Sequence, residues 1–158
     1  MQHKNNIKQY KIIKNQNKLP KLKIEKEITY NTDIFLSTEE IVNFMNRIYD
    51  MKNLFVEYVY LLSFNSQQKL LGVFELSHGS STNSEIPIRE LFISLLLSGA
   101  EQFTIVHNHP NGSFKASMSD INLSAKIKLG ANQLDILFDD HIIIVDDGYL
   151  SMSYEKLI

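Results

Sequence analysis

Apolar residues fall into short runs along this chain, and the period within each run assigns an element. Leu22, Ile24 and Ile28 alternate with Lys23, Glu25 and Glu27, the pattern of a half-buried strand, predicted to be short and to lie at a sheet edge. Ser37 and Glu40 form a capping-box pair ahead of Ile41, Phe44, Met45, Ile48 and Tyr49, whose spacing predicts an amphipathic helix. Phe55 to Phe64 and Leu70 to Leu76, parted by the polar residues Asn65 to Gln68, predict a β-hairpin. Ser77 to Ser84 reads as a loop. Pro87 suits the first turn of a helix that carries Leu91, Leu95 and Leu96 and stops at Gly99.

Phe103 to His107 is predicted as a strand, and Ser117 to about Leu129 as a helix closed by Gly130. Leu134 to Phe138, His141 to Val145 and Tyr149 to Ser153 read as three final strands, the last two joined through Asp147 and Gly148. The order β, α, β, β, α, β, α, β, β, β implies a single α/β domain: a mixed β-sheet sandwiched by helices.

Composition narrows the chemistry. The chain has 158 residues, within the range of one ordinary domain, and its 44% hydrophobic content is enough for a packed core. It has no cysteine, which excludes disulfides, thiolate nucleophiles and cysteine-ligated zinc. Any metal must sit on His, Asp or Glu. No apolar run reaches the roughly 18 residues of a membrane span, and no secretory signal is evident, so a soluble cytoplasmic protein without membrane contact is expected.

Charge is uneven. Residues 1–30 hold eight Lys against two Glu, whereas the remainder holds eight basic and sixteen acidic residues. Residues 1–21, rich in Lys, Asn and Gln, are expected to be a flexible solvated leader ahead of a domain at residues 22–158. The other reading of residues 1–26 is a basic arm making weak phosphate contacts with nucleic acid.

The most informative stretch is His107-Asn108-His109-Pro110, followed after six residues by Ser117 and then by Asp120. Residues i and i+2 of an extended chain point the same way, about 6.6 to 6.8 Å apart along the strand, so two imidazoles at a strand end can converge on one ion. Pro110 ends the strand, and Asn111 and Gly112 can turn the chain so that Asp120 returns as a third ligand. Two neutral imidazoles and a carboxylate leave a zinc ion with an open position for water. Each part has a plainer reading: Ser117 and Asp120 also make a helix cap, and either histidine could simply bond backbone. The cluster is more specific than its parts.

His-Asn-His is not an HNH nuclease motif, whose residues are dispersed through a larger unit. The HExxH helix of common zinc peptidases is absent, and a zinc deaminase would need cysteines. A hydrolytic site also needs a proton acceptor. Glu57, on one predicted strand face with Phe55, Val59 and Leu61, is the candidate; the alternative is that Glu57 opens an edge strand and points into water, and periodicity alone does not decide.

Glu57 followed by His107-x-His109-Pro110-x6-Ser117-x2-Asp120 resembles the JAMM motif of the JAB/MPN metallopeptidases, and within them the RadC-like branch. The resemblance spans roughly residues 35 to 155 and includes Gly79-Ser80, Pro87 to Phe92, Val106 to Gly112 and Asp140 to Val145. It implies a cytidine-deaminase-like JAB/MPN architecture and Zn2+ on His107, His109 and Asp120. It also implies Glu57 as general acid and base and Ser117 as donor to the oxyanion. Asp140 and His141 could steady the site from behind or only set strand hydrogen bonds.

Asn111 and Ala116 depart from the Ser and Pro usual in RadC-like sequences, and a Lys-rich leader stands in place of an N-terminal helical region. The implied function is a zinc-dependent metallopeptidase or isopeptidase acting on a protein or peptide. The alternative is a non-catalytic RadC-like module linked to DNA repair or mobile elements. A purely structural zinc would need a fourth ligand, for which His78 or His141 is a candidate. Oligomeric state is left open.

Overall fold

The computed structural model describes residues 4–79 and 86–158. The loop expected at Ser77 to Ser84 therefore falls largely outside the described residues, as does Ser80. In chain order the elements are β1 (Asn5–Lys14), β2 (Pro20–Tyr30), α1 (Thr38–Tyr49), β3 (Tyr58–Phe64), β4 (Leu70–His78), α2 (Ile88–Ser98), β5 (Gln102–Asn108), α3 (Met118–Gln133), β6 (Leu137–Val145) and β7 (Gly148–Ser151). The strands form one mixed sheet in the order β2-β1-β4-β3-β5-β6-β7.

Strand period explains why this sheet is covered on both faces. Tyr60, Leu62 and Phe64 of β3 join Phe44 and Met45 of α1 in one apolar cluster, while Val59 and Leu61 join Leu91, Leu95, Ile127 and Ala131 of α2 and α3 in another. A central strand flanked by two cores is buried along its length, and from Val59 to Phe64 all residues are buried, apolar except for Ser63, whose hydroxyl bonds the Gly72 carbonyl. The mixed α/β sandwich is therefore as the patterning implied.

Local chemistry sets the boundaries. Ser37 caps α1 by accepting the Glu40 N–H, and Glu40 accepts from the Leu36 N–H, one residue short of a closed capping box. Asn65 folds the β3–β4 turn by accepting N–H bonds from Gln67 and Lys69. Pro87 sits at the N-cap of α2, one position before the first turn, and Gly99 ends that helix in the left-handed region at φ 66°.

Three expectations are corrected. The segment expected to be a flexible leader contains β1, an interior strand that pairs antiparallel with β2 and parallel with β4 through Gln9 and Tyr10. Ile7 is buried against Ile28 and the α1 core, and the polar run Asn15 to Lys18 is the hairpin turn, where Asn15 accepts from Asn17 and Leu19. β1 pairs along its whole length with β2 and is tied to the rest of the sheet at Gln9 and Tyr10 by β4, partners that local composition does not reveal. Next, α3 runs through Gly130 to Gln133, because the Phe92 ring packs where a side chain would project: a Cβ would sit 2.7 Å from it. Finally, the two strands expected at Leu134 to Phe138 and His141 to Val145 are one strand, β6. Its Asp139 is an extra residue between the pairs Phe103 with Phe138 and Thr104 with Asp140.

No helix among the described residues is long and apolar enough to cross a membrane.

If β1 is integral, Ile7→Ala lowers the unfolding free energy by about 2–4 kcal/mol in a denaturant titration. Lys4→Ala, just outside the strand, changes it by less than about 0.5 kcal/mol. Equal behaviour of the two variants would return the segment to a loose tail.

Candidate metal centre

The site is built at one end of β5, on the face covered by α2 and α3. Parity puts His107 on the same side as Phe103 and Ile105, and its pairing with Val59 of β3 and Ile143 of β6 fixes it in register. One residue beyond the strand the His109 N–H still bonds the Ile144 carbonyl at 2.9 Å, so His109 keeps the extended backbone that returns it to the His107 side. Pro110 then stops the ladder. Gly112, at φ 72°, donates to the His109 carbonyl and turns the chain back toward α3.

At α3 the capping box expected from Ser117 and Asp120 is present in full. The Ser117 hydroxyl accepts the Asp120 N–H at 3.0 Å, and Asp120 Oδ2 accepts both the Ser117 N–H and the Ser117 hydroxyl at 2.7 Å. Cap and ligand readings of this pair are not rivals. The cap fixes the carboxylate that also faces the imidazoles.

His107 Nε2 and His109 Nε2 are 3.0 Å apart, Asp120 Oδ1 is 3.7 Å from the first and Asp120 Oδ2 is 3.7 Å from the second. Taking one nitrogen or oxygen from each residue, the three atoms lie within 4.8 Å of one another, close enough for the group to hold a metal ion. Among the described residues, this is the one cluster of His, Cys, Asp or Glu able to hold a metal. It opens into a cavity of about 280 Å³ whose lining includes Glu57, Ser117 and Leu123.

The far edges of the two imidazoles have different partners. His109 Nδ1 lies 2.9 Å from the Ser113 carbonyl, which can only accept, so Nδ1 carries the proton and a neutral His109 offers the Nε2 lone pair to the cavity. His107 Nδ1 lies 2.8 Å from His141 Nε2, and His141 Nδ1 lies 2.7 Å from the Ser124 hydroxyl. His107, His141 and Ser124 are all buried.

Electrostatics divide the pair. Burial, reinforced by His141, holds His107 well below the usual histidine range against the pull of Asp120. His109 is also penalised by burial, but its bonds to Asp120 and Ser113 and the charges of Asp120 and Glu57 hold it above that range. Burial acts to raise Asp120, yet His109, His107 and Ser117 outweigh it and keep this carboxyl well below its usual range. His141 is pushed down to about 4 by burial. The resting constellation is thus a neutral His107, a proton-attracting His109 and an ionised Asp120.

Glu57 is buried and lines the cavity beside both histidines. It is not on a strand face with Phe55, which is 86% exposed; β3 begins only at Tyr58. The reason is Asn108, whose side-chain oxygen accepts the Tyr58 N–H at 2.8 Å and whose amide donates to the Val56 carbonyl at 3.0 Å. Glu57 sits between these two anchors, and its own carbonyl accepts from Gly79 at 2.9 Å. Asn111 and Ala116 line the cavity without displacing a ligand atom.

Asp140 is placed elsewhere. Its carboxylate faces α1 and the end of β7, accepting from Thr38, Ser151 and the N–H groups of His141 and Ser153, while the His141 ring projects to the opposite side. Neither candidate for a fourth metal ligand reaches the cavity: His141 spends Nε2 on the back of His107, and His78 stacks on Tyr58 and pairs with Glu75. Asn108 and Ser124 received no role from the sequence. Ser124 follows Asp120 by four residues, one helical turn, and that spacing was the available signal.

Comparison with known proteins agrees with this geometry. The RadC-like JAB domain family matches residues 35–157. A UPF0758 protein of Clostridium acetobutylicum is 30% identical over 65% of the chain, one of Pelobacter propionicus 30% over 77%, and one of Trichodesmium erythraeum 36% over 58%. These alignments take in 44%, 52% and 38% of the relatives, so the chain spans about half the length of the curated relatives it matches. With more than three quarters of its residues matched, the chain belongs to the RadC-like JAB domain family.

Proposed function

We propose that this chain is a zinc-dependent hydrolase that cleaves an amide bond in a protein or peptide. The observation that carries the reading is the juxtaposition of three metal-ligating side chains with a buried carboxylate, Glu57, on the wall of one cavity. Three protein ligands suit a catalytic ion, because structural zinc is almost always held by four.

His107, His109 and Asp120 would hold the ion, which supplies Lewis acidity and an acidified water. Glu57 would accept a proton from that water and deliver it to the leaving nitrogen, the task of a general base that becomes a general acid. Ser117 would donate to the oxygen on which negative charge develops. In the resting arrangement its hydroxyl proton is given to Asp120, so this role requires rotation about the Ser117 side chain.

Two variants separate binding from chemistry. His109→Ala loses stoichiometric zinc in elemental analysis. Glu57→Gln retains zinc and loses hydrolysis of a peptide library by at least about 100-fold, the usual contribution of a positioned acid–base group. Hydrolysis that survives metal removal would overturn the reading.

Proton competition has a definite sign. His107 is already neutral and Asp120 already ionised, so acid acts on the metal site through His109, whose affinity for protons is raised. Below the His109 pKa, zinc binding displaces about one proton and weakens about tenfold per pH unit; above it this dependence fades. Calorimetry near pH 6 in buffers of different ionisation enthalpy measures the stoichiometry, and two displaced protons would contradict the division of roles between the histidines.

A second reading, contact with nucleic acid, draws on the N-terminal hairpin. Lys11, Lys21 and Lys23 are exposed on the β1–β2 face opposite Tyr10, Ile12 and Leu22, with Lys26 on the same side. Glu25 pairs with Lys11 there and partly offsets this charge. Lys21→Glu with Lys23→Glu would lower affinity for duplex DNA and cut the logarithmic salt slope by about 2. An unchanged slope removes the reading.

A further inference from the structure

Behind the metal-facing edge of His107 lies a chain of side chains that peptide hydrolysis does not itself require. His107 Nδ1 meets His141 Nε2 at 2.8 Å, and His141 Nδ1 meets the Ser124 hydroxyl at 2.7 Å. The participants are 1%, 1% and 0% exposed, so water cannot substitute for any of them. They come from three elements: β5, the adjacent parallel strand β6, and α3.

We infer that His141 and Ser124 are positioning residues that lock His107 in the tautomer able to ligate a metal. This rests on the zinc reading above and deepens it. A neutral imidazole carries one N–H. If His107 Nε2 is to present a lone pair to an ion, its proton stays on Nδ1, and the atom facing Nδ1 has to accept. His141 Nε2 accepts, which leaves the His141 proton on Nδ1, where the Ser124 oxygen accepts it in turn. The polarity of the chain is thereby set throughout, from His107 to His141 to Ser124.

The reverse polarity would put a proton on His107 Nε2, pointing at His109, and would close that nitrogen to a metal. Helix geometry couples the two ends of the device. Asp120 and Ser124 lie one turn apart on α3, so the helix that brings a ligand to the front of His107 also brings the terminal acceptor to the back. Ile127 and Ala131 continue the same helical stripe into the core and hold it against the sheet.

The test compares zinc affinity, by competition with a chromophoric chelator, for the wild-type chain, His141→Leu, His141→Gln and Ser124→Ala, with long-range 15N spectra of the zinc-loaded chain. Leu removes the acceptor and is expected to weaken zinc binding 10- to 100-fold. Gln, whose carbonyl can accept while its amide donates, is expected to recover most of that loss, and Ser124→Ala to fall between them. The spectra are expected to show His141 protonated at Nδ1 and bare at Nε2.

A zinc-loaded wild type with His141 protonated at Nε2, or a well-folded His141→Leu with undiminished affinity, would overturn the relay alone. Should Leu fail to fold, the wild-type tautomers and the Gln and Ala affinities still decide. A wild type that binds no zinc would remove both inferences. Zinc binding with the expected tautomers in a chain that cleaves nothing supports the relay and removes the peptidase reading.

Discussion

A fully buried imidazole has to satisfy two ring nitrogens without help from water, and much of this molecule follows from how it meets that demand for His107. An unpaired polar group in such a place costs on the order of 1–3 kcal/mol, so both edges of the ring need partners fixed by the fold. The back edge has His141 and Ser124; the front edge has His109 and Asp120. Supplying these four groups requires β5 and β6 to lie side by side and parallel, with the N-terminal turns of α3 across their ends. The fold between residues 102 and 145 is that arrangement.

The same demand makes the metal reading physically economical. His109 and Asp120 present a proton-attracting imidazole and a carboxylate to a nitrogen that is held neutral. Without an ion, the 3.0 Å contact between the two Nε2 atoms needs a proton to bridge it. A divalent ion held by His107, His109 and Asp120 would replace that single proton with a charge that three donors could share. Electrostatic pressure toward a cation and spacing that could hold a metal ion both follow from one cluster.

Legibility in the sequence followed the range of the interactions involved. The ligand cluster was readable because its parts are local: two residues apart on a strand, then a proline stop, then a helix cap whose residues announce themselves. The fold class was readable because α1 carries a strong helical period and β3 and β5 are short continuous apolar-rich runs. β1 was not, since Ile7 and Gln9 gain their meaning only from Ile28, Val73 and Tyr49, which lie far along the chain. β6 was divided in two because Asp139 and Asp140 look like a break. In the structure Asp140 is a buried acceptor for groups of α1, β7 and its own strand. His141 was noticed and Ser124 was not, because the one-turn spacing of Ser124 from Asp120 gains meaning only once its partner on another element is known.

Asn108 shows how one strand's period can serve two purposes. His107 and His109 face the cavity because they are two residues apart, and for the same reason the residue between them faces away. There its amide replaces the ladder bonds that Val56 and Tyr58 would otherwise seek, and this ends β3 at Tyr58 with Glu57 held at the cavity wall. The two imidazoles and Glu57 are therefore positioned by a single tripeptide, whose register is pinned on one side by β3 and on the other by β6, while Asp120 arrives separately on α3. A slip of one residue would turn both imidazoles out of the cavity and release Glu57 in the same step. That coupling gives the intervening asparagine a physical task, and it places the candidate metal centre at the end of the most deeply buried strands, where register is least free to change.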